Sequence, residues 1–502
     1  MSFLKKADAE LISKIDEICE KRIDRILNSP TEVSFSGKAY YVSESGNDTN
    51  DGTAPDKAWK SIERVNKTPF ESGDALFFER GGRFRTEEPL HAKAGVCYSA
   101  YGSGAKPTIV CSVCANGVSS WEKTDCPNVY RFNKPIPADE RDVGLIIFDL
   151  GRAWGIKVSE RKNGHRLDNG RVFNGLEFIE PDNSPFSDYH DLHSDLEFYH
   201  DFINNNVYLY SAHGNPGARF ESIELSDKGH GIDGEGKDIV IDNIAVFGTG
   251  SHGIGFCVSE NVTVQNCCFW FIGGSIQGRF IFDRDYHTRY GNAVQFHYGD
   301  RLKIKNCYSS QIFDCCYTVQ YGAAVPMTNI EMSGNVAEFC NTGLEIWLKG
   351  GRLENMKLHD NITRYCGYGF SNQRPLKDGN FFYGARDVTS TYVNNDVCDN
   401  INYYSSCYAL LIHATGADQY NFHDNLYIME RGKYLGGIST CPGHGNSEKA
   451  EVAYDDNSIK AAIDTGFESG SRFYVTDTLG DEAYKICRLN AYHYFTKARF
   501  AL

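Results

Sequence analysis

Two carboxylates carry the clearest chemical possibility in this chain. Glu345 stands in Gly-Leu-Glu-Ile-Trp, between two aliphatic residues and two places before Trp347. Asp314 stands in Gln-Ile-Phe-Asp-Cys-Cys-Tyr, near the turn that opens the preceding strand-like run. A carboxyl group partly withdrawn from water keeps its proton to higher pH and can serve as a general acid. A second carboxylate on an adjacent structural unit completes a pair suited to glycosidic cleavage: one protonates the leaving oxygen and the other attacks or activates water.

A repeat must position them. From Asp238 to Leu435 the chain returns to one phrase, an alternating apolar run, an Asn, a small-residue turn and a second alternating run. The Asn positions are Asn243, Asn266, Asn306, Asn335, Asn361, Asn400 and Asn425, a period near 25 with insertions. Such a period marks a solenoid. Asn tolerates the left-handed conformation at a turn and hydrogen-bonds its neighbours along a stack, so these residues are read as structural. The expected fold is all-β, a right-handed parallel β-helix over residues 35–445. An N-terminal helix over 1–34 (apolar at Leu11, Ile12, Ile15, Ile18, Ile23 and Ile26) is expected to cap the solenoid's first coil. Residues 446–502 lose the repeat and are expected to cap the other end.

Stacked coils place equivalent residues about 4.8 Å apart, with alternate side chains pointing in and out. Aligning SHGIGFC, GNAVQFH, CCYTVQ, NTGLEIW, GYGFSNQ and YALLIH gives inward pairs Ile254/Phe256, Val294/Phe296, Tyr317/Val319, Leu344/Ile346, Phe370/Asn372 and Leu410/Ile412. One outward row then reads Gly255, Gln295, Thr318, Glu345, Ser371, Leu411, and its neighbour Cys257, His297, Gln320, Trp347, Gln373, His413. Amides, imidazoles, one Trp and one carboxylate side by side suit hydroxyl groups and the face of a sugar ring. A solvated outer face with no ligand is the plain alternative. Insertions at 273–290 and 373–392 leave the stack beside this face, and a third at 181–206 lies upstream. Long loops on a regular scaffold carry specificity, which adds Arg279, Asp283 and Arg374 as substrate contacts.

Residues 39–85 add a second signal. A Tyr-Val-Ser strand, a Gly-Asn-Asp…Asn-Asp-Gly-Thr turn, a Trp-Lys-Ser-Ile helix start and a Gly-Asp…Phe-Arg strand resemble the opening coil of the pectate-lyase-like superfamily of β-helix carbohydrate enzymes. That superfamily holds lyases, glycosidases and epimerases, so the phrase implies a fold more than a reaction. The Asp of the strand-entry turn and the Glu one coil later resemble intracellular β-helix glycosidases such as the β-helix β-xylosidases. The resemblance implies Asp314 as nucleophile or base and Glu345 as acid/base of a glycoside hydrolase; the cytoplasmic setting read below makes exo action on short oligosaccharides the expectation.

Composition narrows the field. A formal charge of −15 disfavours a nucleic-acid partner. No stretch approaches the length of a membrane span. The charged N-terminus offers no apolar leader segment, and seventeen Cys in no paired framework read as free thiols in a reducing, cytoplasmic setting. Cys111-x-x-Cys114 stands alone and His190/His193 lack metal-ligand spacing, so neither metal nor cofactor is expected.

Rival chemistries are weighed against the same rows. A calcium-dependent lyase calls for stacked carboxylates and an Arg or Lys base, which the rows lack. Gly-His-Gly at 229–231 and Arg-Leu-Lys-Ile-Lys at 301–305 hint at a polygalacturonase, but no Asn-Thr-Asp or Asp-Asp precedes them, and both are read as chance. A metal-free lyase or epimerase using His297, His413 or Tyr321 stays open, as does a glycan-binding β-helix without catalysis. The oligomeric state is not legible.

Overall fold

The computed structural model describes residues 2–136, 142–158, 165–167, 171–201, 203–227, 229–276, 289–320, 326–348, 350–374, 379–385, 390–412, 420–439, 449–464 and 466–487. It is a parallel β-helix of three sheets. On the first, Ile232, Ile254, Val294, Tyr317, Leu344, Phe382, Leu410 and Gly436 pair in succession. On the second, Val264, Ile304, Met332, Leu358, Val397 and Phe422 do the same. On the third, Val246, Phe269, Ser309, Ala337, Thr363, Asn402, Tyr427 and Phe473 follow one another. Strands such as Ile254–Gln265 cross from the first sheet to the second, while Tyr308–Gln320 and Val336–Trp347 cross from the third to the first. The inward aliphatics and aromatics of every rung meet in one continuous buried core.

The repeated Asn occupies two neighbouring slots at the corner between the second and third sheets. Asn243, Asn266 and Asn306 take the left-handed position themselves (φ 56°, 53° and 50°). In later coils Gly334, Asp360, Asp399 and Asp424 take it, and the Asn moves one place on. There Asn335, Asn361, Asn400 and Asn425 form a buried ladder, each side-chain amide donating to the next at 2.9, 3.0 and 3.1 Å. Each also donates to a carbonyl of the coil below: Ile304, Met332, Leu358 and Val397. Cys267 and Cys307 fill the same slot lower in the stack, their thiols reaching the Ile241 and Val264 carbonyls. A buried corner leaves no backbone group without a partner, and a thiol or an amide can meet that demand. The sixteen described cysteines are free thiols, most of them buried.

The corner between the third and first sheets is where the chain departs. Excursions leave it at 111–231, 273–293 and 365–379, whereas the coil carrying Asp314 and the one carrying Asn341 turn the corner directly. A register shift between Ile312 and Cys315 puts one extra residue into that direct turn, and such bulges re-aim a side chain.

The structure corrects three expectations. Gly-Tyr-Gly-Phe-Ser-Asn-Gln is not a rung: Gly369–Gln373 is a buried 3-10 turn, and the rung above Leu344 is Asn380–Ala385. Phe370 therefore packs at the corner against Phe313 and Phe271, and Tyr383 takes the outward place assigned to Ser371. The 111–231 stretch does not continue the β-helix expected over 35–445. It folds into a unit with a five-stranded sheet, a four-stranded sheet and its own core around Trp121, Phe132, Phe148, Phe198 and Leu225.

The third concerns the N-terminal helix, Ala9–Leu27, which lies lengthwise on the third sheet and not over the first coil. Before it, Leu4–Lys6 pairs with Phe473–Val475 on the last rung; after it, Ser29 Oγ donates to Asn243 Oδ1 at 2.8 Å. Nineteen residues at about 1.5 Å each bridge about six rungs. Its apolar stripe of Ile15, Cys19, Ile23, Ile26 and Leu27 is buried. Beneath it Arg364 Nε meets Glu338 Oε2 at 2.6 Å, and Nη2 meets helix residue Glu20 at 3.2 Å. The short helix Ile62–Asn66, with Trp59, covers the first coil instead. Among the described residues no helix is long and apolar enough to cross a membrane.

Candidate active site

Glu345 projects from the first sheet next to the unobstructed corner, 9% exposed. Its Oε1 accepts hydrogen bonds from Thr318 Oγ1 and Gln320 Nε2 on the rung below, both at 2.6 Å. Burial, followed by the negative charge of Asp314, pushes its pKa up from the ordinary carboxylate range to about 7, against the pull of those hydrogen bonds and of Arg374. Asp314, aimed outward by the bulge, meets Arg374 Nη1 at 2.9 Å. The result is two interacting carboxyl groups in different settings, one proton-retaining and one paired with a guanidinium.

Around them the outward rows hold as read over most of their length. Gln295, Thr318 and Glu345 stack in register, with Tyr383 above. Gln320 and Trp347 pair in the next row, Trp347 half-buried. Gln295 Oε1 accepts from Asn292 Nδ2 at 2.7 Å, and its Nε2 donates to His297 Nε2. Asn292 also accepts from the Cys315 backbone N–H at 2.9 Å, which ties the Asp314 turn to the Gln295 rung.

Gln373 does not lie on this face. It is buried in the 3-10 turn with both ends of its carboxamide bonded to the inserted unit, so it cannot contact substrate. Arg289, another cation of the loops, is likewise braced: its Nε donates to the Gly274 carbonyl at 2.6 Å and its guanidinium lies over Phe313. His413, Asp283 and Arg279, with Tyr321, fall outside the described residues. His190 and His193 bond to Asp188 and Asp182. His193 lines a cleft of about 400 Å3 on the inserted unit, formed by residues 177–182 and 193–195. Among the described residues no group of three or more His, Cys, Asp and Glu converges as metal ligands would.

A histidine cluster beside the face escaped the sequence reading. His230 and His252 stack at 5.0 Å, Tyr290 meets His252 edge-on at 5.1 Å, and Ser251 Oγ donates to Tyr290 Oη at 2.7 Å. His252 Nδ1 accepts the Asn292 backbone N–H at 3.0 Å, and burial lowers its pKa well below the usual value. Burial lowers that of His297 too. A Cβ on Gly255 would stand 3.4 Å from the His230 ring, so the imidazole occupies the space that Gly255 leaves in the outward row. The signal was available: His-Gly-Ile recurs at 230–232 and 252–254, one coil apart. Farther down, His91 Nδ1 and Asp233 Oδ1 lie 2.6 Å apart.

No protein-family model matches the chain. A curated relative, lacto-N-biosidase of Bifidobacterium longum subsp. longum, is 37% identical over 111 residues, 19% of this chain. The match spans only 7% of that relative's length. Among solved structures, XylC in complex with xylose is similar at a TM-score of 0.44 and 12% identity, over 87% of this chain and 83% of that one. Lacto-N-biosidase of Eubacterium ramulus is similar at 0.39 and 14%, over 93% and 70%. A pectate lyase is similar at 0.40 and 10%, over 88% and 78%.

Proposed function

We propose that the chain is a glycoside hydrolase acting on neutral oligosaccharides, with Glu345 as general acid and Asp314 as the partner that attacks the anomeric carbon or activates water. The observation that carries this reading is the asymmetry of the pair. Glu345 holds a proton near neutral pH while Asp314, beside it, is matched to Arg374. Two carboxyls driven apart in this way are suited to the two roles of glycosidic cleavage. The 111-residue match to a protein named as a biosidase agrees in class.

The substrate is read as lying along the stack. Trp347 offers an aromatic face, Gln295 and His297 offer amide and imidazole contacts, and His230 over Gly255 extends the polar strip one rung farther. Sugar release from a panel of short oligosaccharides, with anomeric configuration followed by NMR, tests the reaction. A lyase using neutral His297 as base is the second reading, favoured by that ring's half-buried, proton-poor state. Only the lyase would yield an unsaturated, ultraviolet-absorbing product.

A further inference from the structure

Gln373 and Arg374 are consecutive residues that engage different parts of the molecule. The Gln373 Oε1 accepts the Lys157 backbone N–H at 3.1 Å, and its Nε2 donates to the Gly155 carbonyl at 2.9 Å. Arg374 leaves the end of the same turn, where its N–H donates to the Ser371 carbonyl at 2.9 Å, and reaches Asp314. The inserted unit also grips the excursion below the site. Ser275 Oγ donates to the Asp142 carbonyl at 2.5 Å, the Ile276 N–H to Asp142 Oδ2 at 2.6 Å, and Arg289 Nη2 to the Gly144 carbonyl at 3.0 Å. Asp142 and Lys157, the residues that receive both excursions, form a buried ion pair at 2.5 Å, with His200 Nδ1 3.3 Å from the same carboxylate.

An arginine side chain is long, and its placement is only as firm as the backbone that carries it. Here that backbone is bonded to a separate folded unit through the Gln373 carboxamide, while the Phe370 N–H and Asn372 Nδ2 tie the same turn to Gln311 Oε1 and Tyr484 Oη. We propose that Gln373 is a positioning residue, which anchors the 369–374 turn on the inserted β-unit and so holds Arg374 against Asp314. The unit inserted at 111–231 is thereby a part of the site's charge balance, although Gly155 and Lys157, which bond Gln373, lie outside the outward rows. The consequence for turnover rests on the hydrolase reading; the electrostatic consequence does not.

Among the described residues, the charged and titratable groups facing Glu345 are Asp314, the Cys315 thiol, Arg374 and Tyr383 on the rung above. Loss of the Arg374 cation raises the proton affinity of Glu345, and an unanchored turn has the same effect in weaker form. The test is a carboxyl-carbon NMR titration of the full chain labelled at Glu, with the Glu345 signal assigned through Glu345→Gln. Arg374→Ala is expected to move the Glu345 midpoint upward by about one pH unit and Gln373→Met, which keeps the volume, by about half of that. In the double variant Gln373→Met adds nothing, because its effect passes through Arg374. Thermal unfolding verifies that each variant is folded; if Gln373→Met is not, Gln373→Asn, too short to make both bonds, takes its place. An unmoved midpoint in the Gln373 variant, an unmoved midpoint in Arg374→Ala, or additive shifts in the double variant each overturn the proposal. If sugar release proves indifferent to Glu345→Gln, the hydrolase reading fails and the titration result stands by itself.

Discussion

Asp314 and Glu345 stand on successive rungs at the corner where the coil turns without an excursion, and the charge of the first helps to keep the proton on the second. Arg374, 2.9 Å from Asp314, works in the opposite direction on Glu345. The titrations of the two carboxyls are therefore inseparable.

Replacing Glu345 with Gln removes the acid while keeping the Thr318 and Gln320 side chains supplied with an acceptor. Turnover is expected to fall by about 10²–10⁴, the range for a lost general acid. Product binding, read by calorimetry, stays within about twofold of the parent, since no charge is used to hold a neutral sugar.

The pH dependence has a definite sign. In the proposed general-acid role Glu345 acts only when protonated, so kcat is expected to decline as pH rises through about 7. The same raised pKa bears on stability, because the unfolded carboxyl has its ordinary value of 4.5. Stability contributed by the retained proton is complete below pH 4.5 and is lost as pH climbs toward 7. Glu345→Gln is thus expected to be more stable than the parent at pH 8, by on the order of 3 kcal/mol, and to unfold at a higher temperature. An unchanged melting curve at pH 8 would contradict this.

Asp314→Asn and Arg374→Ala should displace the alkaline limb of the activity profile in opposite directions. Removing the Asp314 charge lets Glu345 ionise earlier and moves the limb down; removing the Arg374 charge moves it up. Residual activity of the Asp314 variant is enough to fix the limb. A common direction for both variants would disprove the assignment of charges.

Gly255→Val places a side chain against His230 on the outward face and leaves the core untouched. Action on substrates long enough to reach that rung should fall by about tenfold in kcat/KM, as expected for an obstructed contact. An aryl monosaccharide occupying only the Glu345 rung is turned over as before. Equal losses on both substrates would show that the polar strip is not used.

In the Asn ladder, Asn361 both donates and accepts along the stack and has no exposed surface to turn to. Asn361→Leu removes the acceptor of the Asn335 backbone N–H and side-chain amide and the donor to the Met332 carbonyl and Asn400 Oδ1, at a cost of about 3 kcal/mol. Asn361→Cys should cost visibly less, because Cys307 already fills the equivalent slot in a lower coil. Chemical denaturation midpoints decide it.

The fold was legible because its period is enforced by backbone geometry. Left-handed residues recur at the corners of each coil, and at the corner between the second and third sheets Asn, Asp or Gly supplies one, as at Asn266, Asp360 and Gly334. The inward rows were legible because Ile254, Val294 and Leu344 obey a strict alternation that burial imposes. What failed did so where two segments satisfy the same pattern. Both Gly-Tyr-Gly-Phe-Ser and Asn-Phe-Phe-Tyr-Gly offer an aromatic after small or polar residues, and only the stack selects the second. Gln373 then fell into the wrong row, since its true partners at Gly155 and Lys157 are more than two hundred residues away. The antiparallel pairing of Leu145–Phe148 with Ile223–Ser226 joins segments separated by more than seventy residues, also beyond the reach of local periodicity. Glu345 itself was legible because it is the one carboxylate in the two outward rows, while Asp314 depended on a bulge that sequence spacing only hints at.

A stack of rungs is ordinarily a row of books without bookends, and it loosens from whichever end is pushed first. The N-terminal helix changes that by joining Phe473–Val475 to Asn243 across the intervening rungs. Frayed first coils would pull on the same tether that holds the final one, so neither terminus can peel away alone. The scaffold behind the two carboxylates is in effect a closed hoop, and the rungs that carry them are held under a common clasp.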